Sequence, residues 1–194
     1  MERSILVIAC GALANEILEL QRLNGWRHVT LDCLPARLHN TPEKIPDALR
    51  EKLDEVKDRF DDIFVGYGDC GTGGRLDALL DEYGLERLPG PHCYEFFAGR
   101  ERFETLAEDE LGTFYLTDFL TRHFDRLVYR GLGLDRNPEL RDSYFGNYRR
   151  LLYLAQTRSP ELETTARACA ERLGLEYRYH YTGLGGLESA LRVK

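Results

Sequence analysis

Ile5-Leu6-Val7-Ile8-Ala9-Cys10-Gly11 decides the fold class: five consecutive aliphatic residues run into a thiol and a glycine. An apolar run of this length without polar alternation predicts a strand buried on both faces, the kind found in parallel sheets. Residues 12–23 carry apolar side chains at helical spacing and predict a helix directly after the turn. The same alternation continues along the chain. Residues 29–34 read as a second strand, 43–60 as a charged amphipathic helix and 63–67 as a third strand, and the helix over 76–83 stops at Gly84. A short segment, 85–88, precedes Pro89-Gly90-Pro91-His92-Cys93-Tyr94-Glu95, and about 101–129 reads as mainly helical. A helix over 138–148, a strand over 150–156, a helix over 160–173 stopped by Gly174 and a strand over 175–181 complete the pattern. Strands alternating with helices predict an α/β fold: a single domain over 1–194, three-layered, with a mostly parallel sheet and a helical insertion at about 99–149. No Pro, Ser or Gly-rich linker and no repeat of fixed period divides the chain.

Composition narrows the partners. Apolar residues are 43% and charged residues 30% of the chain, close to the globular average, and the net charge of −7 offers no basic surface for duplex nucleic acid. The opening apolar run is too short for a signal-peptide core or a spanning helix, so the expectation is a cytoplasmic protein away from membrane and nucleic acid. Five cysteines, an odd number with no CxxC pair, argue against a secreted disulfide framework and against a zinc ribbon. Reduced thiols or ligands gathered from distant segments remain.

Ligands of open parallel sheets bind beyond the carboxyl ends of the strands, so the residues leaving each strand matter most. Those exits carry Cys10-Gly11, Leu38-His39-Asn40, Asp69-Cys70-Gly71 and His92-Cys93. Thiolate and imidazole suit soft and borderline metals, which makes Cys10, Cys70 and Cys93 candidate ligands, with His39 or His92 as a fourth ligand or an orienting partner. Cys33, within an apolar strand, and Cys169, within Ala166-Arg167-Ala168-Cys169-Ala170, read as core. Gly66-x-Gly68-x-x-Gly71 has dinucleotide-loop spacing without the acidic partner residue such loops need, and no phosphate-loop lysine follows. Gly71, Thr72, Gly73 and Gly74 still offer backbone N–H groups to an anion, although tight turns that need glycine account for them equally well. Gly183, in the closing Tyr181-Thr182-Gly183-Leu184-Gly185-Gly186, is a second candidate wall of the crevice. Asp69 and Glu95 are the carboxylates nearest the thiols, fit to act as general acid or base or to orient a ligand histidine. Asp69 has an alternative as a turn or helix cap. Phe114 to Phe119 and Tyr144 to Tyr148 read as core with hydroxyls at its rim, or as cover for a ligand. His123 and His180 read as structural and His28 as solvated. No GxSxG elbow or HExxH helix occurs.

Taken together, Ala9-Cys10-Gly11-Ala12-Leu13, Leu34-Pro35, Leu38-His39-Asn40-x-Pro42, Tyr67-Gly68-Asp69-Cys70-Gly71-Thr72-Gly73, His92-Cys93-Tyr94-Glu95 and Tyr181-Thr182-Gly183 resemble the family called domain of unknown function 1638, over nearly the whole chain. The resemblance implies no catalytic residue. It implies a context, since some members lie near corrinoid-dependent methyltransferase systems, although this sequence has no DxHxxG corrinoid motif. The leading expectation is a metalloprotein, or a metal-dependent enzyme acting on a small molecule, with zinc as first choice and an iron–sulfur cluster as the alternative. Three thiolates leave one position open to a substrate thiol or water, which suits methyl or alkyl transfer or a hydrolytic step. An accessory module gripping an anionic ligand over residues 71–74 and 183–186 is the competing class.

Overall fold

A computed structural model of the chain describes residues 3–56, 58–99 and 112–191. Two compact units make up the chain, one formed by Met1–Phe96 with Gly186–Lys194 and the other by Phe97–Gly185.

The first unit follows the alternation of the opening sequence: β1 (Ile5–Cys10), α1 (Ala14–Asn24), β2 (Val29–Leu34), α2 (Ile45–Val56), β3 (Asp62–Gly66), α3 (Arg75–Tyr83) and a one-turn α4 (Glu95–Ala98). β1 lies between β2 and β3, parallel to both, and all six of its residues are buried, as its unbroken apolar run requires. The register runs from Ile5↔Val29 to Cys10↔Leu34 on one side and from Ile5↔Asp62 to Ala9↔Gly66 on the other, so the three strands end side by side. α2 buries Ile45, Leu49, Leu53 and Val56, the stripe that a 3.6-residue period puts on one face. α3 ends at Gly84, whose left-handed φ of 64° lets its N–H turn back to the Asp81 and Leu80 carbonyls. The segment after it lies along β3 through the parallel bridge Val65↔Arg87, and this brings the 89–95 loop to the carboxyl end of the sheet.

The second unit repeats the plan with β4 (Thr113–Leu116), α5 (Asp118–Arg122), α6 (Leu140–Phe145), β5 (Arg150–Ala155), α7 (Pro160–Leu173) and β6 (Glu176–Tyr181). β5 is central and parallel to both neighbours. Leu151, Tyr153 and Ala155 share a core with Leu116, Phe145, Ala166 and Leu173. Asp118, 1% exposed, ties the strand exits together. Its carboxylate accepts from the Tyr153 hydroxyl at 2.7 Å, from the N–H groups of Gln156 and Thr157 at 3.0 Å each, and from the Thr157 hydroxyl. The last helix, α8 (Leu187–Leu191), belongs with the first unit, where Gly186 N–H donates to the Phe96 carbonyl at 2.8 Å.

The α/β class and the parallel pairing are as expected, and the strands fall into two three-stranded sheets where one was anticipated. Beyond β3 the first sheet gains only the Val65↔Arg87 bridge among the described residues, and a second sheet starts at β4. The helical reading of about 101–129 needs correction where it can be compared. Thr113–Leu116 is a strand, because a β-branched and aromatic run beside β5 gains more from pairing than from a helical turn. Residues 118–122 are helical, 125–129 form a π-helical turn, and 101–111 lie outside the described residues. Among the described residues no helix is long and apolar enough to cross a membrane.

Asp118→Ala leaves several buried donors without an acceptor and should lower stability by about 3–5 kcal/mol in urea unfolding. A loss below about 1 kcal/mol contradicts the tie.

Candidate functional site

Cys10, Cys70 and Cys93 reach the carboxyl end of the first sheet by three routes. Cys10 is the last residue of β1, buried, and is followed by the Gly11–Leu13 3-10 turn. Burial pushes its thiol up to about 11, the Ala12 N–H partly offsets this, and the nearby Cys70 adds to it. Past Gly66 the chain turns through Tyr67-Gly68-Asp69-Cys70, where Cys70 takes a φ of 49°, the one left-handed non-glycine position among the described residues.

Two backbone bonds clamp that turn to the neighbouring loop. The N–H of Asp69 donates to the Gly90 carbonyl at 3.0 Å and that of Cys70 to the Pro91 carbonyl at 2.7 Å. Gly68 makes the approach possible, since a Cβ there would stand 3.0 Å from the His92 carbonyl carbon. The clamp brings Cys70 Sγ to 2.9 Å from Cys93 Sγ, both buried. The Cys93 thiol bond lowers the Cys70 pKa against the effect of burial, with help from the Cys93 and Gly68 N–H groups. Cys93 shifts the opposite way, through the same bond and its own burial.

Tyr67 joins the thiols and was missed in the sequence, where it reads as the end of a strand. It is 2% exposed, and its buried hydroxyl has the Cys10 thiol beside it and no other hydrogen-bond partner among the described residues. Its pKa is raised, first by burial and then by the charge that Cys10, Cys93 and Cys70 would carry, which places the ring beside all three sulfurs. A buried hydroxyl with only a weakly bonding thiol beside it keeps part of its desolvation cost, and a polar group bound among the thiols would lessen it.

The imidazoles lie around this pocket. His39, exposed on the Ala36–Asn40 turn, has a lowered pKa because the surrounding protein desolvates it and His92 lies near. His92 is half-buried and stacked on Tyr94 at 4.8 Å, and its pKa is lowered by desolvation while Asp69 pulls the other way. Among the described residues, no three His, Cys, Asp or Glu side chains already stand as a metal-holding group.

Asp69 takes the capping role that was its alternative. Its carboxylate accepts from the Thr72 hydroxyl at 2.7 Å and from the N–H groups of Gly74 and Gly73 at 2.9 and 3.2 Å. The backbone donors that the sequence offers to an external anion at Gly73 and Gly74 are therefore filled from within the turn, and the Gly71 N–H also turns to the Asp69 carboxylate. Glu95, buried at the start of α4, sets its carboxylate against Gly90, in the loop that carries His92 and Cys93. Gly183 follows β6 in the second unit, whereas residues 71–74 belong to the first. Cys169 packs in the second core as expected, and Cys33 is half-buried on β2.

A family model described as "Protein of unknown function (DUF1638)" matches residues 33–191. No curated protein and no solved structure matches the chain.

Asp69→Ala should cost about 1–3 kcal/mol in urea unfolding by freeing the donors of Thr72, Gly73 and Gly74. Sulfate should then raise the thermal midpoint of the variant by more than its general salting effect raises that of the wild type. Equal sulfate shifts in the two proteins contradict the filled turn.

Proposed function

The chain belongs to the DUF1638 family of proteins of unknown function, and from its thiol pocket we propose a metalloprotein with a zinc centre held by Cys10, Cys70 and Cys93. One observation carries the reading. Cysteines from the end of β1, the β3 exit and the 89–95 loop lie about a buried tyrosine whose hydroxyl has, among the described residues, only the Cys10 thiol beside it, in the place where parallel sheets bind ligands. Hydrophobic thiols alone would need no such hydroxyl among them.

Binding asks something specific of the pocket. Two thiolates on one zinc, each about 2.3 Å from the metal, stand about 3.7 Å apart in tetrahedral geometry. The pair at 2.9 Å must therefore open by rotation about the Cα–Cβ bonds of Cys70 and Cys93, and the protons held on Cys10 and Cys93 leave as the metal enters. His39 or His92 would supply the fourth ligand or orient it, and the Tyr67 hydroxyl would donate to a thiolate beside it. Zinc bound this way would offer one position at which a thiol or water loses its proton, the chemistry of alkyl transfer to sulfur or of hydrolysis. With the Asp69 carboxylate held by its turn, Glu95 is the candidate to carry protons there. The family resemblance adds one-carbon metabolism as the context, with a corrinoid methyltransferase system as partner, and the short opening apolar run favours a cytoplasmic setting. The competing accessory reading is weakened because Asp69 occupies two of its anion donors.

Elemental analysis of anaerobically purified protein should find about one zinc per chain, as a three-thiolate site requires. Cys10→Ser and Cys70→Ser should each lower occupancy at least about 10-fold, while Cys33→Ser and Cys169→Ser keep it. Metal-free protein whose pocket thiols alkylate freely, or full occupancy in Cys70→Ser, overturns the reading.

A further inference from the structure

We propose that Cys70 and Cys93 are a peroxide-sensitive pair that closes to a reversible disulfide. Their sulfurs are 2.9 Å apart, closer than two thiolates on a shared metal and within about 1 Å of the 2.03–2.05 Å bond of a disulfide. The approach is built into the backbone. The bonds from Asp69 and Cys70 to the Gly90 and Pro91 carbonyls hold the two segments together, and the bare Cα of Gly68 admits His92. Both cysteines lie on turns past the strands, where a small rotation closes the gap without disturbing the sheet. Cys10 is fixed differently, as the last residue of β1 in register with Leu34.

Access selects the oxidant. Cys70 is 6% and Cys93 7% exposed, a burial that a molecule as small as hydrogen peroxide overcomes more readily than a tripeptide disulfide such as oxidised glutathione. Cys70, as the thiolate, attacks one peroxide oxygen. The O–O bond breaks, and the departing hydroxide takes up a proton as water, leaving a sulfenic acid on Cys70. Cys93 gives up its proton and its sulfur attacks Cys70 Sγ, the S–O bond breaks, and a second water leaves. Two thiols are oxidised and one peroxide is reduced to two waters. The pairing stands whether or not the pocket holds metal. Its consequence, loss of two ligands from the zinc centre, rests on the reading above, and the two are measured separately.

Metal-free full-length protein is treated with hydrogen peroxide, alkylated under denaturing conditions and digested with trypsin without reduction. Cys70 and Cys93 fall in different tryptic peptides, 60–75 and 88–100, so their bond appears as one linked species. The linked species should become the main form of both peptides, with Cys10, Cys33 and Cys169 still alkylated, and dithiothreitol should restore both thiols. Oxidised glutathione should give at least about 10-fold less of it in the same time. A link through Cys10, separate oxidation of the two sulfurs to sulfinic acids, continued alkylation of both, or equal linking by glutathione overturns the proposal. In a parallel zinc-loaded sample the link should form with release of zinc. Linking in protein that takes up no zinc leaves the disulfide standing and sinks the metal centre instead.

Discussion

Two backbone hydrogen bonds, from Asp69 to the Gly90 carbonyl and from Cys70 to the Pro91 carbonyl, hold the site together. Without them the β3 exit and the 89–93 loop are separate excursions from the sheet, and Cys70 has no reason to meet Cys93. Their formation depends on the parallel bridge Val65↔Arg87 that delivers the second loop, and on a glycine at position 68. A further lock comes from Arg87, which pairs with Asp77 and donates to the Leu88 and Gly90 carbonyls at 2.8 and 3.1 Å. The left-handed turn at Cys70 is strain accepted in return for aiming a sulfur into the pocket.

Asp118 finds a full set of donors at the strand exits of the second unit, and Gln156 answers the Asp118 N–H at 2.7 Å. Such a network is satisfied by the protein itself and rigidifies the loops that it joins. At the strand exits of the first unit, Tyr67 is left with a hydroxyl among sulfurs, with the Cys10 thiol beside it and no other partner among the described residues.

Much of the first unit was legible because its signals are local. The unbroken run from Ile5 to Ala9 announces a strand with both faces covered, and glycine after Cys10 and Cys70 marks turns at strand ends. Cys10, Cys70 and Cys93 could be assigned to exits on that basis, although nothing local specifies that two of them stand 2.9 Å apart. That distance depends on which loops the bridge and the clamp bring together. Asp69 illustrates the other limit: its residue type fits a base, a ligand orienter and a cap equally, and only the donors around it decide. Thr113–Leu116 failed for a related reason, since a four-residue apolar segment has too few periods to distinguish strand from helix. Tyr67 was hidden by looking like the last residue of a buried strand.

The central claim is that the three thiols act as one soft-metal site. Zinc K-edge X-ray absorption of the anaerobically purified protein tests it most directly, because sulfur and nitrogen or oxygen neighbours differ in distance. The account predicts a first shell of three sulfurs at about 2.3 Å with one lighter neighbour at about 2.0–2.1 Å. A shell of nitrogen and oxygen alone, or a single sulfur, would contradict it.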